Sequence, residues 1–171
     1  MSAKKKKYKD LYVSRNQFQD GINKCKRNIT DYLSETELLM SQGRLSHATI
    51  LLEFALEEFG KVLVMKRAFE LDPNDPFKIS GDKFYDHRTK EKKAWTVLDK
   101  KYQILFDEGI CLPNTLFERG LAVEYTIANH ENRLRSAFVD YCSGRWLLGV
   151  DVKEIYLQNL INHMRAELTK L

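Results

Sequence analysis

Turn-forming residues are scarce in this chain: three prolines and eight glycines among 171 residues. That scarcity excludes the turn-dense pattern of a β sandwich and, beside abundant Leu, Glu and Lys, points to helix. No Pro/Gly/Ser-rich stretch divides the sequence, so one domain with a continuous core is expected. Cysteine is sparse too. Cys25, Cys111 and Cys142 are odd in number and show no C-x-x-C spacing, which argues against a disulfide framework or a zinc ribbon and for reduced thiols. No apolar run approaches the ~20 residues that cross a bilayer, and no hydrophobic stretch follows the amino-terminal lysines as it would in a signal peptide. The expectation is a cytoplasmic protein with no membrane partner. The phosphate-binding G-x-x-x-x-G-K-[ST] loop, the G-x-G-x-x-G turn and the His-Glu-x-x-His zinc motif are all missing, so no cofactor and no metal are expected.

What is present is helical periodicity. The formal charge of +4 owes much to Lys4–Lys7, a run that resists packing, and residues 1–12 read as a basic, flexible tail ahead of a single helical-bundle domain over 13–171. Tyr and Lys alternate loosely between Tyr8 and Tyr12, a slight signal for nucleic-acid stacking. Phe18, Ile22, Cys25, Ile29, Leu33 and Met40 recur at helical spacing, predicting a first helix from Ser14–Asn16 to about Gln42 with Gly43 as its left-handed cap. The short Gly43-Arg44 turn predicts an antiparallel hairpin with a second helix, Ser46 to Leu71, capped by Ser46 and stopped by Asp72-Pro73.

That second helix is apolar on two strips. Leu51, Phe54, Ala55, Val62, Met65 and Phe69 share one side, and Leu52, Leu56, Phe59 and Leu63 widen the arc, so it is expected to lie at the centre of the bundle. Glu58 falls within the first strip and is predicted to be buried, with His87, Lys90 or Arg135 as its partner; the network is open to a structural, binding or catalytic role. Glu57 is expected to form an i,i+4 surface pair with Lys61. Gly60, opposite Glu58, predicts close approach of a neighbouring backbone.

Beyond a turn-rich connection from Asp72 to Asp82, a third helix is read from about Lys83 to Phe106, with Phe84, His87, Ala94, Leu98, Tyr102 and Leu105 on one face and Lys90 at its margin. The segment 107–114 reads as a loop carrying Cys111. A fourth helix is expected from near Asn114 to around Tyr141, with Arg135 as a candidate buried cation. Trp146-Leu147-Leu148 reads as an anchoring turn, and a last helix, capped by Asp151 with Glu154, carries Ile155, Leu157, Leu160, Ile161, Met164 and Leu168.

Five pieces of this sequence, in order, resemble the AbiV-type abortive-infection proteins of bacteria, within the HEPN helical-bundle group. They are Gly21-Ile22-x-x-Cys25, Gly43-Arg44 leading to Ala48, Leu56-Glu57-Glu58-x-Gly60-Lys61, Phe84-x-Asp86-His87-x-x-Lys90, and Arg135-x-x-Phe138-Val139-Asp140, the last with Phe where Leu-Tyr is expected. The resemblance implies an all-α, HEPN-like bundle of about five helices around the central helix. It implies a phage-defence effector that blocks production of viral proteins, at translation or through a phage-encoded or translational protein partner, with pairing of two chains through long helices. It also raises a metal-independent ribonuclease as the alternative, with RNA as substrate. Many HEPN relatives cut RNA with an arginine followed, after four to six residues, by a histidine. His47, His87, His130 and His163 each lack an arginine at that distance. The candidate polar network is therefore Glu57, Glu58, Lys61, His87, Lys90, Arg135 and Asp140, and a ribonuclease would have to use His87 as acid or base with Lys90 and Arg135 stabilising charge.

Overall fold

The structure, a computed structural model, describes residues 8–72, 74–107, 140–142, 145–147 and 154–171. Among these the architecture is an all-α bundle with two minor two-stranded ribbons. The first long helix, α1 (Arg15–Ser41), starts where Ser14 and Gln17 form a reciprocal capping box: the Gln17 N–H donates to the Ser14 hydroxyl at 3.3 Å and the Ser14 N–H to Gln17 Oε1 at 2.9 Å. It ends at Gly43, whose φ of 71° lets the Gly43 and Arg44 amides turn back onto the Met40 and Leu39 carbonyls. The turn sends α2 (Leu45–Leu71) back along α1 as the expected hairpin. Ser46 is not the cap. The cap residue is Arg44, without a side-chain bond, and Ser46 already lies inside the helix.

Helix α2 is the centre of the described bundle. Its face Leu52, Ala55, Leu56, Phe59, Val62 and Met65 is buried among Ile22, Cys25, Ile29, Leu33 and Met40 of α1. Phe54, on the strip predicted to be inward, is instead half-exposed and leans on Tyr32 at 5.8 Å between ring centroids. The last helix, α5 (Glu154–Leu168), packs Leu157, Leu160, Ile161 and Met164 into the same core. Arg165 on α5 forks onto Glu37 of α1 at 2.6 and 2.7 Å, and those bonds hold the Glu37 carboxyl below its ordinary range. Both groups are partly exposed, so this clasp contributes at most about 1 kcal/mol.

Two departures from the periodicity shape the region next to α2. A strand, β1 (Leu11–Val13), pairs antiparallel with β2 (Phe77–Ile79) inside the connection read as turns. The Phe-Lys-Ile alternation explains it: Phe77 and Ile79 are buried and Lys78 faces out, where its ammonium meets Asp10 at 2.8 Å. Phe77 also closes an aromatic knot with Phe18 and Phe69, whose rings stack at 4.7 Å. The chain is thus attached from Tyr8 onward rather than from residue 13, while Lys4–Lys7 fall outside the described residues. The second departure is a break in the third helix, which divides into α3 (Gly81–Tyr85) and α4 (His87–Asp107). Asp86 causes it. Its backbone is extended (ψ 116°), and Oδ2 accepts the Thr89 N–H at 2.8 Å and the Thr89 hydroxyl at 2.7 Å, starting a new helix at His87.

Farther along, β3 (Asp140–Cys142) and β4 (Arg145–Leu147) form an antiparallel ribbon with Tyr141 opposite Trp146. Tyr141 and Trp146 are therefore in paired strands, not in a helix end and an anchoring turn: the two short segments, each centred on an aromatic residue, satisfy their backbone groups across the ribbon. The predicted helix from Asn114, Arg135, the loop of Cys111 and the Asp151 cap lie outside the described residues.

Gly60 is where α4 crosses α2. A Cβ placed there would sit 1.9 Å from the Lys90 carbonyl oxygen and 2.9 Å from its Cα, so only glycine allows the approach. Because the obstacle is backbone, Gly60→Ala is expected to lower stability by about 2 to 3 kcal/mol despite the better helix propensity of alanine. Urea unfolding measures this; an unchanged or higher midpoint would mean that α4 does not contact α2 at Gly60.

Candidate functional site

The α2–α4 crossing gathers the ionisable residues that the sequence singles out, but with Glu57 and Glu58 exchanged. On α2 the residues Glu53, Glu57, Gly60 and Val64 recur at four- and three-residue steps, and all are buried because α4 lies over them. Glu57 Oε2 is 2.5 Å from His87 Nδ1 and 3.4 Å from Lys90 Nζ. Its side chain is 8% exposed and that of Lys90 is 7%, whereas His87 is 56% exposed. The predicted surface residue is thus the buried anion.

Glu58 points the other way, toward α1. Its carboxylate is 16% exposed, forms an ion pair with Lys61 one turn later, and accepts a hydrogen bond from the Cys25 thiol. The Lys61 ammonium also lies 5.8 Å from the centre of the Phe84 ring. The expected pairs of Glu58 with His87 or Lys90, and of Glu57 with Lys61, are therefore corrected. The physical reason is a face that hydrophobic spacing does not reveal: an interface lined by two carboxylates and a glycine reads as solvent-facing until the opposing helix is in place. Arg135 lies outside the described residues, and Asp140 opens β3 with a side chain outside them as well.

Glu53 on α2 and Glu91 on α4 are two further buried carboxylates that the periodicity does not single out. Both have interaction partners. One sequence signal was available, since Glu53 and Glu57 are like charges at i,i+4 and would repel on an isolated helix. Their coexistence on one face requires cations from another element.

The chemistry of this arrangement is asymmetric. Glu57 fixes the His87 ring by accepting a hydrogen bond from Nδ1, which turns Nε2 away from the carboxylate. Lys90 neutralises Glu57 from within and is too enclosed to meet a ligand. Only the imidazole reaches out. Behind it, burial and the negative Glu58 push the Cys25 thiol up to about 12, so that sulfur is a protonated packing group rather than a nucleophile.

The sequence profile of the HEPN_AbiV family, described as AbiV, matches residues 17–147, which include all but the first two residues of α1, the whole of α2, the Asp86 break and the Glu57–His87–Lys90 crossing. The chain belongs to the AbiV family of HEPN proteins. Membership ties it to abortive infection, the bacterial response to phage, and agrees with the all-α bundle. Strand β1 and helix α5 lie outside the matched segment of this AbiV-family chain. No curated protein and no solved structure matches it. No helix among the described residues is long and apolar enough to cross a membrane.

Two outcomes test the site. Glu57→Gln removes charge at constant volume and leaves the Lys90 ammonium buried without its anion, so it should cost about 3 kcal/mol, whereas Glu58→Gln should cost under about 1 kcal/mol because Lys61 can turn to water. Urea denaturation of the two variants in parallel checks the order, which would be reversed if Glu58 were the buried partner. For Cys25, burial and the neighbouring Glu58 carboxylate raise the thiol from its ordinary 9.0 to about 12, so the native state holds this proton more tightly. Its stabilising contribution is complete below pH 9 and is lost between about pH 9 and 12. Peptide mapping after iodoacetamide at pH 8 should accordingly show the Cys25 peptide labelled only once the protein is unfolded.

Proposed function

We propose that the protein is a cytoplasmic antiphage effector that blocks production of phage proteins by binding a translation-related or phage-encoded partner, without cutting RNA. The observation that carries this reading is the inward closure of the charge set at the α2–α4 crossing. Catalytic cleavage of a phosphodiester without metal needs an acid, a base and a cation at the phosphate. Here Glu57 and Lys90 satisfy each other below the surface, and among the described residues of the crossing only His87 is free to meet a ligand. A partly exposed histidine rigidly held by a carboxylate suits recognition: it presents a fixed hydrogen-bonding group whose geometry is prepaid by the fold. The absence of the Arg-to-His spacing used by nuclease relatives supports the same reading.

The ribonuclease alternative is favoured by one feature, the carboxylate-oriented imidazole of His87, and a single experiment decides between them. Purified protein incubated with total cellular RNA and with defined transfer RNAs should leave both intact, and His87→Ala should give the same gel pattern. Meanwhile, pulse-labelling of infected cells should show loss of phage proteins, and affinity purification from those cells should retain a translational or phage protein. Cleavage by the wild type that disappears in His87→Ala would overturn the binding reading.

A further inference from the structure

Charge on the outer surface of α3 and α4 is one-sided in a way that the other described helices are not. From Gly81 to Leu98 the exposed ionisable residues are Lys83, His87, Arg88, Lys92 and Lys93, and no exposed carboxylate stands among them. The acidic residues of this stretch are all engaged elsewhere. Asp82 accepts the Tyr8 N–H at 2.8 Å, Asp86 caps α4 through Thr89, and Glu91 is fully buried. On the helical wheel the buried Lys90, Glu91, Ala94, Trp95 and Leu98 occupy one arc, and Arg88, Lys92, Lys93, Thr89 and Thr96 occupy the opposite one, so from Arg88 to Leu98 the outward arc holds only cations and hydroxyls. On α1 and α2 exposed cations and exposed carboxylates are mixed, and some pair within the helix, as Lys24 does with Asp20 and Arg67 with Glu70. Among the described residues Lys83, Arg88, Lys92 and Lys93 have no ion-pair partner. In sequence the helix continues with Asp99-Lys100-Lys101, two lysines for one aspartate.

Two neighbouring features narrow the partner. The Lys9 carbonyl rests on Gly81, where a Cβ would come within 1.9 Å of it, which brings the exposed Lys9 alongside α3. Tyr8 lies against Tyr85 at 5.4 Å between ring centroids, and Tyr85, three residues before Arg88, is 44% exposed. An acidic protein surface would be met by the cations alone; unpaired lysines and an arginine beside an exposed aromatic ring, on which a base can stack, fit a nucleic-acid strand better. We infer that the outer face of α3 and α4, built from Lys83, Arg88, Lys92 and Lys93 with the exposed Tyr85 of α3, binds the phosphate backbone of RNA. This deepens the translation-related reading above and rests on it, since RNA is the polyanion of the translation apparatus. The contact is to phosphate rather than to base edges, so it should be largely indifferent to sequence.

The probe is a fluorescein-labelled single-stranded RNA 20-mer of mixed sequence, titrated with the full chain and read by anisotropy, with polyglutamate as competitor. Four phosphate contacts on a single strand predict a log–log salt slope of about −3 and a weakening of roughly fifty-fold between 50 and 200 mM salt. The triple charge reversal Arg88→Glu, Lys92→Glu, Lys93→Glu, all at exposed positions, should weaken binding at least ~10-fold with an unchanged melting temperature. The control Lys24→Glu, Arg27→Glu, Arg67→Glu, with the same change in net charge, should weaken it less than ~3-fold. The inference is overturned if the wild type fails to bind at 50 mM salt, if both triple variants lose affinity equally, or if polyglutamate competes as well as unlabelled RNA. Running the titrated RNA on a denaturing gel keeps the two proposals apart: cut RNA counts against the non-enzymatic reading alone, and failure to bind intact RNA counts against this face alone.

Discussion

The contact between Gly60 and the Lys90 carbonyl sets the geometry of the crossing. A missing side chain lets the α4 backbone come against α2, and that approach brings Lys90 and, one turn earlier, His87 onto Glu57, itself one turn before Gly60. The matched three-residue steps on the two helices are what allow one carboxylate to hold both the His87 imidazole and the Lys90 ammonium. A larger residue at position 60 would push the helices apart and leave Glu57 and Lys90 as separated charges in a poorly solvated interior, where each is costly.

The segment before α4 makes this placement specific. Asp86 ends α3 and begins α4, so His87 is the first residue of a new helix, where its side chain extends past the end of the crossing instead of being covered by it. Strand β1 braces the same corner through the Tyr8, Lys9 and Asp10 contacts to α3 and β2. The result divides charge by depth. Carboxylates and the Lys90 ammonium lie under α4, the remaining cations of α4 up to Leu98 lie on it, and the His87 imidazole stands at the junction. A buried pair of this kind is weak evidence for stability in itself, but it fixes how α4 is turned about its axis, and that turn decides which residues form the outer basic face.

Much of the bundle was legible before any coordinates. The α1–α2 hairpin follows from a single apolar stripe and a left-handed glycine, local signals that tertiary packing leaves intact, whereas the serine read as the cap of α2, Ser46, lies inside that helix. The centrality of α2 follows from apolar residues on more than one face, and Gly60 announces a close neighbour by its cost in a helix. The Asp86 break was available in the sequence as an aspartate three residues before a threonine, but the apolar spacing of Phe84 with Ala94 and Leu98 runs through it and masks it. The β1–β2 ribbon was less accessible, because three-residue strands separated by two long helices carry too little alternation to be distinguished from turns.

Pattern and spacing along the chain account for the class of the fold, the hairpin, the central helix, the resemblance to the AbiV family and the set of ionisable residues from which the crossing is built. Which glutamate is buried depends on packing between helices. Glu57 and Glu58 are adjacent, about 100° apart on the same helix, and a helix apolar on several faces gives no preferred direction from which to measure that angle. The reference is supplied by α4, which settles where Gly60 has no side chain and thereby turns Glu57 inward against His87 and Lys90, leaving Glu58 to Lys61 and the Cys25 thiol.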